Sequence, residues 1–205
     1  MEQISGESMD MFERTCRKIK NKDVILIGEI HGTREIPLLL KKYFDRMSNV
    51  YSFDIALEIP KNNQEVINKF LEDEDDSLLK KTPFFLQSLP TDGRNSAEYF
   101  HLIKSISRIN KYNDKKIKIF CIDVHTEENI KDQNDREKKM AENIFEKITV
   151  GKKIFVVLGN LHASKKKCKF DDNAILPVGY LLSKKIDNKI FSINMRPLKG
   201  RFYNF

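Results

Sequence analysis

The chain has no cysteine pair at CxxC spacing, no apolar stretch of membrane-spanning length and no nucleophile or phosphate-loop motif. Its three cysteines, Cys16, Cys121 and Cys168, are odd in number and widely separated. Neither a disulfide framework nor a zinc ribbon is available from them, and a reducing compartment is expected. No run approaches the roughly 18 consecutive apolar residues of a membrane helix, and the N-terminal segment lacks the apolar core of a secretory signal. A cytoplasmic protein with no membrane partner is expected. The GxSxG elbow of serine hydrolases and the Walker-type phosphate loop are both absent. No internal repeat, low-complexity tract or Gly/Ser-rich linker marks a boundary, so residues 1–205 are expected to fold as one domain. The 40% of residues that are hydrophobic are enough to give it a core.

What the chain does have is charge, with 37 Lys and Arg against 30 Asp and Glu, a formal +7. A net positive balance can mark a nucleic-acid partner. Here 28 of the cations are lysines and only 9 are arginines, most of them interspersed with Asp, Glu and Asn. Nucleic-acid readers favour concentrated arginine, so no nucleic-acid partner is expected. Two runs, Lys165-Lys166-Lys167 with Lys169 and the acidic Glu72 to Asp76, read as solvated loops or helix ends.

Four short apolar runs set the architecture. Val24 to Ile27, Phe53 to Leu57, Ile117 to Ile122 and Ile154 to Leu158 are rich in β-branched and aromatic residues and read as strands buried on both faces. Between them, apolar residues recur at three and four: Ile36, Leu39, Leu40, Tyr43, Phe44, Met47; then Tyr99, Leu102, Ile103, Ile106, Ile109; then Met140, Ile144, Phe145, Ile148. Alternating strand and helix predicts a three-layer α/β fold, with a mostly parallel central sheet and helices on both faces. A short helix from Gly179 to Lys184 and a fifth strand from Lys189 to Ile193 are expected to follow. A helical excursion is predicted at about residues 60–110. Its least regular part, Pro60 to Arg94, reads either as a cap over one end of the sheet or as an ordinary crossover.

In an open parallel sheet, ligands bind beyond the carboxyl ends of the strands. There the four runs agree in kind. The first leads into Gly28-Glu29-Ile30-His31-Gly32-Thr33-Arg34-Glu35, the second ends in Glu58, the third in Asp123-Val124-His125, and the fourth in Gly159-Asn160-Leu161-His162. Only one histidine, His101, lies outside this set. A carboxylate beside an imidazole orients the ring and raises its basicity, which suits a general base working near neutral pH. His31 with Glu29 and Glu58 is one such grouping, and His162 would face it as a second acid/base or an oxyanion donor. A divalent metal held by His31, Glu58 and His162 uses the same residues, although no HExxH or HxH spacing supports it. Cys121 between Phe120 and Ile122 reads as a buried structural thiol ahead of a nucleophile.

These segments resemble the erythromycin-esterase-like and ChaN-like superfamily. Gly28 to Glu35 is similar to that superfamily's GE…HGT…E motif after the first strand. Arg136-Glu137-Lys138-Lys139-Met140-Ala141-Glu142-Asn143 resembles its R-D/E-xx-MAEN helix, and Gly159-Asn160-Leu161-His162 resembles HNxH. Pro177-Val178-Gly179-Tyr180-Leu181 is similar to PxGxxL. The resemblance implies one α/β domain that hydrolyses an ester or related carbonyl of a small molecule, by water that a histidine deprotonates. It makes His31 the base, Glu29 and Glu58 its orienters, and His162 a second polar contact. Glu35, Arg34, Asp123, His125, Arg136 and Asn160 would support the site, Arg136 either balancing its carboxylates or tying helix to sheet. No cofactor is expected on the esterase side. The single residue between Glu29 and His31 is closer to the ChaN-like branch, which makes a non-catalytic haem- or metal-binding protein the alternative. Gly159 replaces the first histidine of HNxH.

Overall fold

In the computed structural model, which describes residues 2–86, 93–124, 128–170 and 173–197, the apolar runs pair into one five-stranded sheet. Its strands are β1 (Val24–Glu29), β2 (Phe53–Pro60), β3 (Ile119–Asp123), β4 (Lys153–Gly159) and, after a small hairpin of β5 (Cys168–Phe170) and β6 (Asn173–Ile175), β7 (Ile190–Asn194). The order across the sheet is β3-β2-β4-β1-β7, and every pairing in it is parallel. The first four strands are those predicted. The third starts two residues later than expected, because the Asn110 side chain takes the Ile117 backbone N–H (2.7 Å) and carbonyl (2.9 Å) out of the ladder.

Alternate side chains of the strands feed two cores. Ile25, Ile27, Phe53, Ile55, Leu57, Phe155 and Val157 pack to one side, while Val24, Leu26, Ala56, Ile154, Val156 and Leu158 pack to the other. The first core is closed by α1 (Glu2–Ile19), α2 (Glu35–Ser48) and the helices between β2 and β3: α3 (Gln64–Asp73), α4 (Asp76–Lys80), α5 (Pro83–Leu86) and α6 (Ala97–Tyr112). At its centre the rings of Phe44, Phe53 and Phe155 meet, with centroids 5.0 to 5.8 Å apart. The second core is closed by α7 (Gln133–Phe145) and α8 (Val178–Ile186) through Met140, Ile144, Val178 and Leu182. The predicted three layers and the helical excursion are therefore present. The N-terminal helix and the small hairpin had not been expected.

Edge strand β3 is blunted by a side chain. Gln64, the first residue of α3, donates to the Ile119 carbonyl and accepts from the Cys121 amide, both at 2.8 Å, so its amide occupies the place of a neighbouring strand. The acidic run caps rather than binds: Asp75 accepts from the Ser77 amide at 2.8 Å to start α4, and Asp76 pairs with Lys104. Lys165, Lys166, Lys167 and Lys169 are exposed around the start of the hairpin. No described helix is long and apolar enough to cross a membrane.

Candidate functional site

The carboxyl ends of β1, β2, β3 and β4 converge with the start of α7 on one cluster of charged side chains. At β1, Glu29 is the last strand residue. The chain turns at Thr33, whose hydroxyl donates to the Ile30 carbonyl at 3.0 Å, and at Gly32, whose φ of 77° suits glycine. That turn brings His31 back over Glu29, with Nδ1 2.9 Å from Oε1. At β2 the pairing with β3 shifts register between Leu57 and Pro60. Glu58, at this irregularity, reaches across to β4, where its Oε2 accepts the Gly159 amide N–H at 2.7 Å.

Glu58 is the hub. Its Oε2 is 3.5 Å from His31 Nε2 and its Oε1 is 3.5 Å from His162 Nε2. The same Oε1 accepts from Arg94 at 2.9 Å and from Arg136 at 2.8 Å. Asp123 closes the network, accepting from Arg136 Nε (2.9 Å) and Nη2 (2.8 Å) and from Arg94 (3.2 Å). A second carboxylate–imidazole pair mirrors the first: His162 Nδ1 lies 2.6 Å from Oε1 of Glu137, a fully buried residue near the start of α7. Glu137 also accepts from Gln133 at 2.8 Å and from the Val178 amide at 2.9 Å.

The charges follow from these contacts. Burial opposes a charge on His31, but hydrogen bonds to Glu29 and Glu58 outweigh it and raise its pKa to about 9. Burial would raise Glu58, yet the His31 hydrogen bond and the charges of Arg94 and His31 hold it well below the usual carboxylate range. Tyr99 donates to Glu29 Oε1, and burial together with that carboxylate pushes its phenol well up, so it remains a donor. Burial alone pushes the Cys121 thiol up to about 12, which withholds the thiolate a nucleophile needs.

Of the residues singled out in the sequence, Glu29, His31, Glu58, Asp123, Arg136 and His162 come together. Arg34 and Glu35 do not: Arg34 is 69% exposed on its side chain and pairs with Glu98 at 3.4 Å, and Glu35 is exposed at the start of α2. Asn160 contributes its backbone, donating to the Glu29 carbonyl at 2.9 Å, while its buried Oδ1 has no hydrogen-bond partner among the described residues. His125 lies outside the described residues. Arg94, Tyr99 and Glu137 are members of the cluster that the sequence did not reveal. Glu137 stood next to Arg136 in a motif, and Tyr99 was hidden among the apolar positions of its helix. Arg94 carried no local signal.

Two glycines explain motif positions physically. A Cβ on Gly159 would sit 2.9 Å from His31 Nε2 and 3.3 Å from His162 Cδ2, so the glycine makes room for both rings. A Cβ on Gly179 would meet the Ala163 and Ser164 carbonyl oxygens at 2.7 Å, so only glycine lets α8 approach the turn that carries His162. A third close approach joins two loops: Gly93, at φ 87°, packs so tightly that a Cβ there would come 2.3 Å from Gly32 Cα. Beside the cluster, a cleft of about 570 Å³ is lined by Asp132, Gln133, Arg136, Leu161, His162 and β6.

No protein-family profile matches the chain, and no curated protein matches it. Solved structures do. A protein described as a succinoglycan biosynthesis protein superposes with a TM-score of 0.69 at 15% identity, over 89% of this chain and 68% of the other. Haem-bound ChaN of Campylobacter jejuni superposes with a TM-score of 0.60 at 16% identity, over 92% of this chain and 87% of ChaN. A bacterial protein toxin matches with a TM-score of 0.58 at 13% identity over 90% of this chain, which spans only 36% of the toxin's length. At such identities the likeness is one of fold, and the chain has a ChaN-like α/β fold.

The cluster can be tested against the groups that this fold implies. His31 commits Nδ1 to Glu29 and holds Nε2 3.5 Å from Glu58, so it offers haem iron no open ring nitrogen, and iron at His162 Nε2 would have to displace the Arg136 guanidinium that stands 3.4 Å away. A divalent metal fits no better. Both Glu58 oxygens accept N–H groups, and among the described residues no group of three or more His, Cys, Asp or Glu is arranged to hold a metal ion.

Proposed function

We propose that this chain is a small hydrolase in which imidazoles and carboxylates assist the attack of water on an ester or related carbonyl of a small-molecule substrate. One observation carries the reading: two imidazoles, each oriented by its own carboxylate, face the two oxygens of a single glutamate at the carboxyl edge of a parallel sheet. Such pairs supply what ester hydrolysis needs, a group that takes a proton from water and a group that gives one to the departing alcohol. The erythromycin-esterase-like motifs add support, since Glu29, His31, Arg136 and His162 fall on them and cluster around Glu58. Three free cysteines accord with a reducing, cytoplasmic setting, and the reading needs neither nucleic acid nor membrane.

Hydrolysis of a panel of carboxylic esters by wild type, His31→Ala and Glu58→Gln tests it. Wild-type turnover that falls on the order of 10²-fold or more in either variant is expected. Equal rates in all three, or no turnover across the panel, would sink the reading. Haem binding is the second reading, favoured by the likeness to ChaN. Haem titration of wild type and of the double variant His31→Ala/His162→Ala separates the two. A Soret shift lost in the double variant would favour haem ligation by this cluster.

A further inference from the structure

We propose that the two imidazoles divide the acid and base work, with His162 as the base and His31 as the acid, and that Glu137 is a positioning residue that fixes His162 in the working tautomer. The inference rests on the hydrolytic reading above and assigns its proton transfers.

The surroundings of the rings differ in sign. Among the described residues, His31 meets only carboxylates at its nitrogens: Glu29 from β1 at Nδ1, 2.9 Å away, and Glu58 from β2 at Nε2, 3.5 Å away. Tyr99 from α6 reaches it only through Glu29. Two acceptors call for two ring N–H groups, which is the imidazolium. His162 has Glu137 of α7 at Nδ1, so Nδ1 carries the proton, and what sets its Nε2 apart from that of His31 is a cation beside the shared Glu58. At Nε2 stands Arg136 Nη1 of α7, 3.4 Å away, with Glu58 Oε1 at 3.5 Å. A guanidinium only donates, so Nε2 presents its lone pair. His162 also lines the cleft beside α7. One site therefore holds a charged ring that can give a proton and a ring with a lone pair that can take one.

The reaction balances with these two groups. His162 Nε2 takes a proton from water as the water oxygen bonds to the carbonyl carbon, and the carbonyl π pair moves onto its oxygen. When that pair returns, the carbon–oxygen bond of the leaving group breaks, and His31 gives its Nε2 proton to the departing alkoxide. Acid and alcohol leave, with His162 charged and His31 neutral. The resting state returns when His162 releases its proton to bulk water and His31 takes one from it, while Glu58, 3.5 Å from each Nε2, stays ionised between the two rings.

The test compares an alkyl ester with a nitrophenyl ester of the same acid, because a good leaving group dispenses with a general acid but not with a base. His31→Ala is expected to lose on the order of 10²-fold with the alkyl ester and far less with the nitrophenyl ester, while His162→Ala loses rate with both. The reverse pattern, with His31→Ala equally impaired on both esters, overturns the assignment and leaves the hydrolytic reading intact. If wild type turns over neither ester, the hydrolytic reading falls and this division falls with it. Imidazole ¹⁵N NMR at neutral pH reads the same point without turnover. His31 is expected with both nitrogens protonated and His162 as the Nδ1–H tautomer, and a neutral His31 or an Nε2–H His162 overturns the proposal. Glu137→Gln should unsettle the His162 tautomer, and Glu137→Asp should partly restore it in a folded protein. An unchanged His162 spectrum in Glu137→Gln removes the positioning role.

Discussion

Tyr99 and His31 share a single oxygen, Oε1 of Glu29. The phenol comes from the helical segment between β2 and β3, and the imidazole from the turn after β1. A carboxylate buried at the end of the sheet is thus satisfied by one neutral donor and one cationic donor. Removing the neutral one has two consequences. Tyr99→Phe should destabilise the protein by about 1–3 kcal/mol, because a buried acceptor loses a partner. Glu29 should then bind His31 more tightly, so the His31 titration midpoint seen by NMR should move upward. A midpoint that stays put or falls would refute the coupling.

Gly159→Ala tests the packing of the two rings. The new methyl would meet His31 Nε2 at 2.9 Å, and the ring tip is the group free to move. Thermal melts below about pH 9 should show a loss of stability that follows the fall in the His31 midpoint. His31 should leave Glu58, its midpoint should fall from about 9, and ester turnover should drop. Retained turnover with an unshifted midpoint would show that the close approach does not govern the site.

The raised His31 pKa makes stability depend on pH in a definite direction. Its folded value of about 9 lies above the ordinary 6.5, so its stabilisation is complete below about pH 6.5 and is lost as pH rises through about 9. The shift corresponds to about 3 kcal/mol between those limits. Glu58 acts oppositely: its pKa is lowered, so its stabilisation is present above its ordinary 4.5 and is lost as pH falls. Urea melts from pH 5 to 10 should show wild type losing stability on the alkaline side, with the slope between about pH 6.5 and 9 absent in His31→Ala. An identical slope in the variant would contradict the assignment.

Arg136→Met should be among the costliest single changes. It leaves Glu58 and Asp123, both nearly buried, with less than the positive charge they share. Breaking a buried pair from one side costs about 3–5 kcal/mol. Denaturant unfolding measures this loss, and a cost below about 1 kcal/mol would mean that the network is far more hydrated than its burial implies.

The strands were legible because a parallel strand covered on both faces must be apolar throughout, as Val24 to Ile27 and Ile154 to Leu158 are. The strand-end residues followed from topology, since Glu29, Glu58, Asp123 and His162 each lie at or just after a run that stops being apolar. Arg94 and Tyr99 were hidden because nothing local distinguishes them. Their partners are 36 and 70 residues distant, and only the packing of α6 against α2 and the sheet brings them back. The N-terminal helix escaped because its sequence mixes charged and apolar residues, and Phe12 and Ile19 become core only once a sheet exists to receive them.

The contact of Gly32 with Gly93 has a mechanical consequence. Each glycine adjoins a residue of the charged cluster, His31 on one loop and Arg94 on the other, and bare backbone meets bare backbone with no side chain between to flex. A side chain at position 93 would therefore have to part the two loops, and with them the imidazole and the guanidinium that they bring to Glu58.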